Sequence, residues 1–361
     1  MSKKVYFVGS AYMGCYYVRC FLPMMVNGWT GTYTGLSKNT LKPVPVVEGE
    51  MKRADIIVFH RPNTNWHHRI AMELKVMGKQ IVFDNDDTYL LDSSHPFQSL
   101  DEKGFEENKM RINNVVNNFI VNADMITCST EYLSGEYMQL NTNTKVLPNC
   151  VSPDDWAEEP LKNKSDKVRV GLVGSVCYHH DFSVIKELIK ELDDSDKVQL
   201  VLFGLWKDKK RSDNPLVEEV HRKEFAFWDS IKNKEHAPWC DMSEYADTLD
   251  QLRLDMMLIP RIENHFNKCK SNLKFLEAGM LEIPVIASGF TNSPYSVDID
   301  GTNGVLVGEV EEWRDKVWDL VNDKDKRVKM GKEAKQYVIK HYSIEDKAHL
   351  WSDAYESLYE K

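Results

Sequence analysis

The stretch Phe266–Gly289, FNKCKSNLKFLEAGMLEIPVIASG, decides how the rest of this 361-residue chain is read. It opens on a Lys-Ser-Asn turn and enters a helical pattern marked by Leu273, Leu276, Ala278 and Met280. It then breaks at Glu282–Pro284 and ends as a buried-type strand, VIAS. Ser271 or Asn272 can cap the helix, whose first free N–H groups then point outward from its N-terminus. With Lys270 and Lys274 beside them, those groups form an anion site suited to a diphosphate. Glu277 follows about one and a half turns in, where a carboxylate can accept hydrogen bonds from a ribose diol. A capped amphipathic helix with solvated lysines fits the same letters equally well.

Working outward, strand-like and helical runs alternate. KVYFVGS (4–10), ADIIVFHRP (54–62), KQIVFDNDDTYL (79–90), ADMITCS (123–129) and KVLPNCV (145–151) read as strands. VRVGLVG (168–174), VQLVLFG (198–204) and the run ending at Pro260 continue the series. Helical patterns lie between them, which predicts parallel sheets covered on both faces. The length suits two domains of about 150–180 residues rather than one core. The polar, turn-rich segment 157–166 is the expected hinge between a domain at 1–156 and another at 167–335.

Composition narrows the class. Apolar residues at 42% and aromatics at 11% can fill two cores, so disorder is not expected. No run of 18 apolar residues occurs, hence no spanning helix is predicted. The N-terminus goes straight into a strand pattern with no signal-peptide form. Seven cysteines, an odd number without a CxxC pair, fit reduced thiols in a cytoplasm and give no zinc spacing. Residues 1–150 hold 15 basic and 15 acidic side chains, so the whole net charge of −10 lies beyond them. No basic stripe marks a nucleic-acid surface. Adjacent His67 and His68 face different ways along a helix and read as packing or surface residues. His179, His180 and Asp181 are too close in sequence to share one metal well.

KSNLKFLEAG…IPVIAS, with Asp255 and Pro260 upstream and DGTNGVLV (300–307) downstream, resembles the donor half of a GT-B glycosyltransferase. The likeness is greatest to family 4, the glycosyl transferases group 1, and runs most strongly from Asp255 to Val307. It implies an α/β fold of two Rossmann-like domains facing across a cleft. It also implies that the terminal helices, 336–361, cross back to the first domain, which suits their stripe of Tyr342, Trp351, Tyr355 and Leu358. The implied reaction moves a sugar, with retention, from a UDP- or GDP-linked donor to an acceptor hydroxyl, with no tightly bound cofactor and no metal. The donor side would comprise Gly174, Ser175, Arg261, Lys270, Ser271, Asn272, Lys274 and Glu277, with His180 assisting the leaving group. One departure stands out: Cys269 occupies the place of the family's first sugar-binding Glu.

On the acceptor side, Gly14 and Arg19 follow the first strand in the loop that faces the family's cleft. Arg61 sits just past a strand end, where open α/β sheets bind ligands. The cluster Asp84-Asn85-Asp86-Asp87-Thr88 is read in several ways. As DxDxT it resembles the nucleophile motif of haloacid-dehalogenase phosphohydrolases, with Asp84 attacking and Asp86 as acid/base. As DxD it matches the metal–nucleotide motif of the GT-A fold, which the downstream signature opposes. As carboxylates at a strand end, Asp86 and Asp87 can orient an acceptor hydroxyl or take its proton, with Asp84 beside the acceptor. A plain capping or turn cluster is the remaining reading. The expected acceptor is a glycan or lipid-linked glycan, with peripheral membrane contact, and a hydroxylated DNA base is the alternative.

Overall fold

The structure of the chain is a computed structural model that describes residues 3–9, 14–33, 48–89, 102–174, 179–204, 222, 226–237 and 240–360. Its framework is two six-stranded sheets in which every pairing is parallel. The first comprises β1 (Val5–Gly9), β2 (Thr30–Tyr33), β3 (Ile56–His60), β4 (Gln80–Asn85), β5 (Met125–Cys128) and β6 (Thr144–Val146). The second comprises β7 (Val168–Val173), β8 (Val198–Phe203), β9 (Lys234–Ala237), β10 (Met256–Ile259), β11 (Val285–Ser288) and β12 (Val305–Val307). β1, β3 and β10 are buried along their whole length, as continuous Val, Ile, Phe and Met runs require when helices cover both faces.

Strand order fixes where a ligand can sit. The first sheet runs β2-β1-β3-β4-β5-β6 and the second β12-β11-β10-β7-β8-β9. The direction of strand addition reverses between β1 and β3 in the first, and between β7 and β10 in the second. At such a switch point the loops leaving the two strands part and open a crevice at their carboxyl ends. Gly14 and Arg61 follow β1 and β3, whereas Gly174 and Arg261 follow β7 and β10. Both crevices therefore carry residues singled out from the sequence.

Three strands escape sequence reading: β12 (VLV) is only three residues long, and β2 (TGTY) and β9 (KEHA) contain no apolar run. The latter two are edge strands, covered on one side only, so their composition is freed from the demand placed on β1 or β10. Trp206, Trp239 and most of 205–240 lie outside the described residues. Trp228 packs edge-on against Phe182 at 5.7 Å in the second domain's core.

The last two long helices divide between the domains. Lys324–Tyr342 lies on the helix Leu273–Met280 of the second domain, so close that a Cβ on Gly331 would meet the Glu282 carbonyl. Ile344–Glu356 instead crosses to the first domain, burying Trp351 and Tyr355 among Phe7, Ile56 and Val58. The returning helix expected from the resemblance is thus present but starts at Ile344: residues 336–342 stay on the second domain, where the Tyr342 hydroxyl donates to Asp298. Outgoing and returning chains run side by side at the crossing: Val151 N donates to Tyr342 O and Ile344 N to Val151 O, each at 2.9 Å. The start of segment 157–166 rests on the second domain, with the carbonyls of Ala157 and Glu158 accepting from Lys335 Nζ.

Candidate active site at the domain junction

β4 delivers Asp84 before its last residue, pointing into the first domain rather than out of it. Asp84 is fully buried, accepting from Arg19 Nε at 3.1 Å, Arg19 Nη2 at 2.6 Å and Thr127 Oγ1 at 2.7 Å. Arg19 is equally buried and also donates through Nη1 to Leu147 O and to Asn149 Oδ1. Burial alone would lower the Arg19 pKa, but Asp84 outweighs it and holds it raised. This corrects two expectations. A charge taken out of water needs a partner, and here the two candidates satisfy each other. Neither presents itself to an acceptor, and an Asp84 engaged on both oxygens cannot serve as a phosphohydrolase nucleophile.

Past the strand end the chain turns outward. Asn85 Oδ1 accepts from Asp86 N at 3.0 Å and fixes that turn. Asp86 then receives Arg61 Nη2 at 2.7 Å and Arg61 Nε at 2.8 Å, with His60 Nε2 at 3.7 Å. Burial would raise the Asp86 carboxyl, but Arg61, His60 and Cys15 together hold it well below the usual carboxylate range. Asp86 is thus held charged. Arg61 itself adopts φ 55°, a left-handed conformation costly to a side chain of its size and often concentrated at functional sites. Its Nη2 also reaches Asp87 Oδ2 at 3.0 Å, and its guanidinium lies 5.3 Å from the Tyr89 ring centre. Gly14 opens the first helix with its α-carbon facing Met242 of the other domain.

In the second domain, β10 carries Arg261 to the switch point. Its amide donates to Ser288 Oγ and its Nη1 to Asp181 Oδ2, both at 2.8 Å. Asp181 also accepts from Ile262 N and from Asn267 Nδ2, at 3.0 and 2.7 Å. One buried carboxylate thereby ties the loops after β7 and β10 together. His180, beside it, is half-buried. Gly174 abuts Gly204, whose φ of 72° and closeness to Gly174 O leave no room for a Cβ. Ser175 lies outside the described residues.

Asn272 occupies the N-cap position of Leu273–Met280 without a side-chain capping bond. Its amide instead donates to Asp298 at 2.7 Å, so neither the Asn272 amide nor the Ser271 hydroxyl is seen as the cap the sequence suggested. Inside the first turn, Lys274 Nζ donates to Glu277 Oε2 at 2.9 Å and to the Tyr245 hydroxyl at 2.8 Å, and that hydroxyl donates to Glu277 Oε2 at 2.8 Å. Tyr245 stacks on Phe203 with centres 5.6 Å apart. The three side chains form one charge-balanced cluster.

Two contacts from the Lys270–Ser271 turn reach the first domain. Lys270 Nζ reaches Asp87 Oδ2 at 2.6 Å, and Ser271 Oγ accepts from Asn149 Nδ2 at 2.8 Å. This turn thus touches the acidic turn Asp86–Asp87 directly and the buried Arg19 network through Asn149. Solved structures share this two-domain arrangement. HepE from Anabaena, in complex with UDP and glucose, aligns with a TM-score of 0.68 over 98% of this chain and 100% of its own at 13% identity. Sucrose-phosphate synthase from Thermosynechococcus elongatus gives 0.65 over 99% of each chain at 15% identity. TarM from S. aureus gives 0.57 over 83% of this chain at 15% identity, and this chain spans about half, 55%, of its length. The fold is GT-B. No protein-family model and no curated protein matches the sequence.

Within this GT-B junction a cavity of about 290 Å³ opens between Ser129, Thr130 and Tyr132 of the first domain and Lys270, Asn272 and Asp298 of the second. The structure brings together Arg61, Asp86, Asp87 and Lys270, and separately Lys274 and Glu277. Sequence reading missed Tyr245, Asp181 as the anchor of Arg261, and Asn149 as the link to Ser271. Asp181 stood in the sequence beside two histidines, a signal visible but read only for metal binding. Tyr245 and Asn149 carry no local mark, since each acts on a partner far along the chain. Among the described residues no helix is long and apolar enough to cross a membrane.

Proposed function

We propose that the protein is a glycosyltransferase that transfers a sugar, with retention, from a nucleotide diphosphate sugar to an acceptor hydroxyl. The observation that carries this reading is the meeting of Lys270, on the donor turn, with Asp87, on the acidic turn of the opposite domain. A cation that can take a diphosphate and a carboxylate that can take a hydroxyl face each other across one junction. Glu277, behind the same turn, would receive the ribose diol once Lys274 moves to the phosphates. Arg261, His180 and the Gly174–Ser175 loop complete the donor side. A UDP donor is favoured, since HepE is described with UDP-glucose and TarM with UDP.

In the proposed reaction the bond from the sugar's anomeric carbon to the diphosphate oxygen breaks, and a bond to the acceptor oxygen forms. The acceptor proton passes to the departing diphosphate or to Asp87. Charge growing on the leaving group is met by Lys270, by Lys274 once it has left Glu277, and by the positive end of the helix dipole. Arg61 holds Asp86 and Asp87 in place, and closure of the domains keeps water from the donor. The acceptor is taken to be a glycan or lipid-linked glycan presented to a cytoplasmic enzyme.

The test is a melting-temperature screen against UDP and GDP. Ligand binding to the folded state raises the midpoint by mass action. Stabilisation by one nucleotide, lost in both Lys270→Ala and Glu277→Ala, supports the donor site. The absence of any response to either nucleotide refutes the reading.

A further inference from the structure

At the edge of the same junction, three side chains of metal-binding type converge from two domains. Glu136 lies in the last turn of the helix Glu131–Tyr137 of the first domain. His265 opens the short helix His265–Lys268 of the second, and Cys269 closes it. Four residues apart, His265 and Cys269 share one helical face. The carboxylate oxygen, imidazole nitrogen and thiol sulfur all lie within 4.8 Å of one another. His265 Nε2 contacts Glu136 Oε1 and stands 3.7 Å from Cys269 Sγ. Cys269 is completely buried, packed with Tyr137 and Leu133 of the first domain although it belongs to the second.

We propose that Glu136, His265 and Cys269 form a zinc site that bridges the two domains. One thiolate, one imidazole and one carboxylate make a donor set that suits Zn²⁺ and disfavours Mg²⁺ or Ca²⁺. With Zn–S ~2.3 Å and Zn–N ~2.1 Å, the sulfur–nitrogen edge of a tetrahedron is about 3.6 Å. The spacing of His265 and Cys269 already meets that length. Glu136 must only draw back from Nε2 to about 3.3 Å, within reach of a side-chain torsion change. The Tyr132 hydroxyl lies 3.4 Å from His265 Nδ1, so that nitrogen can donate to it while Nε2 faces the ion. Binding releases the Cys269 thiol proton to solvent and takes His265 neutral at Nε2. Three protein ligands leave one position for water.

Bridging has a structural consequence. The ion would tie the turn that carries Lys270 to the first domain, one residue from Cys269, and so hold this edge of the junction shut. This assignment does not depend on the nucleotide reading, because binding is measured without any nucleotide.

The test uses the full chain, stripped of metal with a chelator and titrated with Zn²⁺ by equilibrium dialysis. Co²⁺ serves as a coloured probe. The expected result is one Zn²⁺ per chain, a thiolate-to-cobalt absorption band, and a raised melting temperature. Cys269→Ser should abolish the band, and His265→Gln or Glu136→Gln should each weaken Zn²⁺ by about tenfold or more. Melting curves without metal establish that each variant is folded, and His265→Gln, at a half-buried position, guards against loss of fold in the Cys269 variant. Failure to bind one equivalent overturns the proposal, as does a cobalt band that survives Cys269→Ser. Binding indifferent to Glu136→Gln overturns the bridge between domains.

Discussion

Replacing Arg19 by leucine tests the most consequential difference between sequence expectation and structure. The Arg19 and Asp84 side chains are 0% and 1% exposed, and the guanidinium makes four hydrogen bonds, two of them to Asp84. Arg19→Leu would leave Asp84 with the Thr127 hydroxyl while stripping Leu147 O and Asn149 Oδ1 of a donor. Breaking a buried pair on one side costs about 3–5 kcal/mol, a large part of the roughly 5–15 kcal/mol that holds a domain together. At about 2–4 °C per kcal/mol, the first domain's melting point should fall by some 6–20 °C. Arg19→Leu combined with Asp84→Leu should recover most of that loss, since apolar packing replaces the pair without orphaning a charge. Urea unfolding and calorimetry of the four proteins in the cycle read this directly. A single-variant cost under about 1 kcal/mol, or a double variant no better than the worse single, would refute the buried-pair account. An Arg19 that served the acceptor would show the opposite pattern, with stability kept and activity lost.

Three further outcomes follow from particular contacts. Lys270→Ala should weaken nucleoside diphosphate binding by about tenfold, some 1.4 kcal/mol, while leaving the bare nucleoside unchanged; equal loss for both, by calorimetry, would remove Lys270 from the phosphate site. His67, packed edge-on to Phe59, has its pKa lowered by burial from 6.5 to about 4. A folded value below the unfolded one gives a contribution that is full above pH 6.5 and lost as the pH falls toward 4. His67→Gln should therefore flatten the acid dependence of the urea midpoint across that window, and an unchanged slope would count against the assignment. Gly331→Ala should destabilise the second domain by about 1–3 kcal/mol, because the added methyl meets the Glu282 carbonyl; a neutral result in denaturation would show that the helices can part freely.

Much of the fold was legible because its signals are short in range. A run such as VYFVG or MMLI announces a strand buried on both faces, and its repetition between helical patterns announces a parallel sheet. The edge strands β2 and β9 were illegible for the converse reason, since a strand covered on one side needs no such run. In the candidate site, the Lys270–Glu277 stretch declared itself through spacing along one turn and one helix. Arg61, Asp86 and Asp87 declared themselves through their position after strand ends.

What the sequence alone determined is the set of local elements: two series of strands and helices, a basic turn at the head of a helix, and acidic residues at the end of β4. Tertiary structure decided which charges face the cleft and which are consumed inside. Asp84 and Asp86 lie two residues apart in one motif, yet one is sealed against Arg19 and the other held by Arg61 at the junction. The same holds for Glu136 and His265, whose meeting depends on how two domains dock. Periodicity encodes which face of an element is apolar. It does not encode partners, because a charge leaving water is compensated by whatever the packing brings beside it, at any distance along the chain.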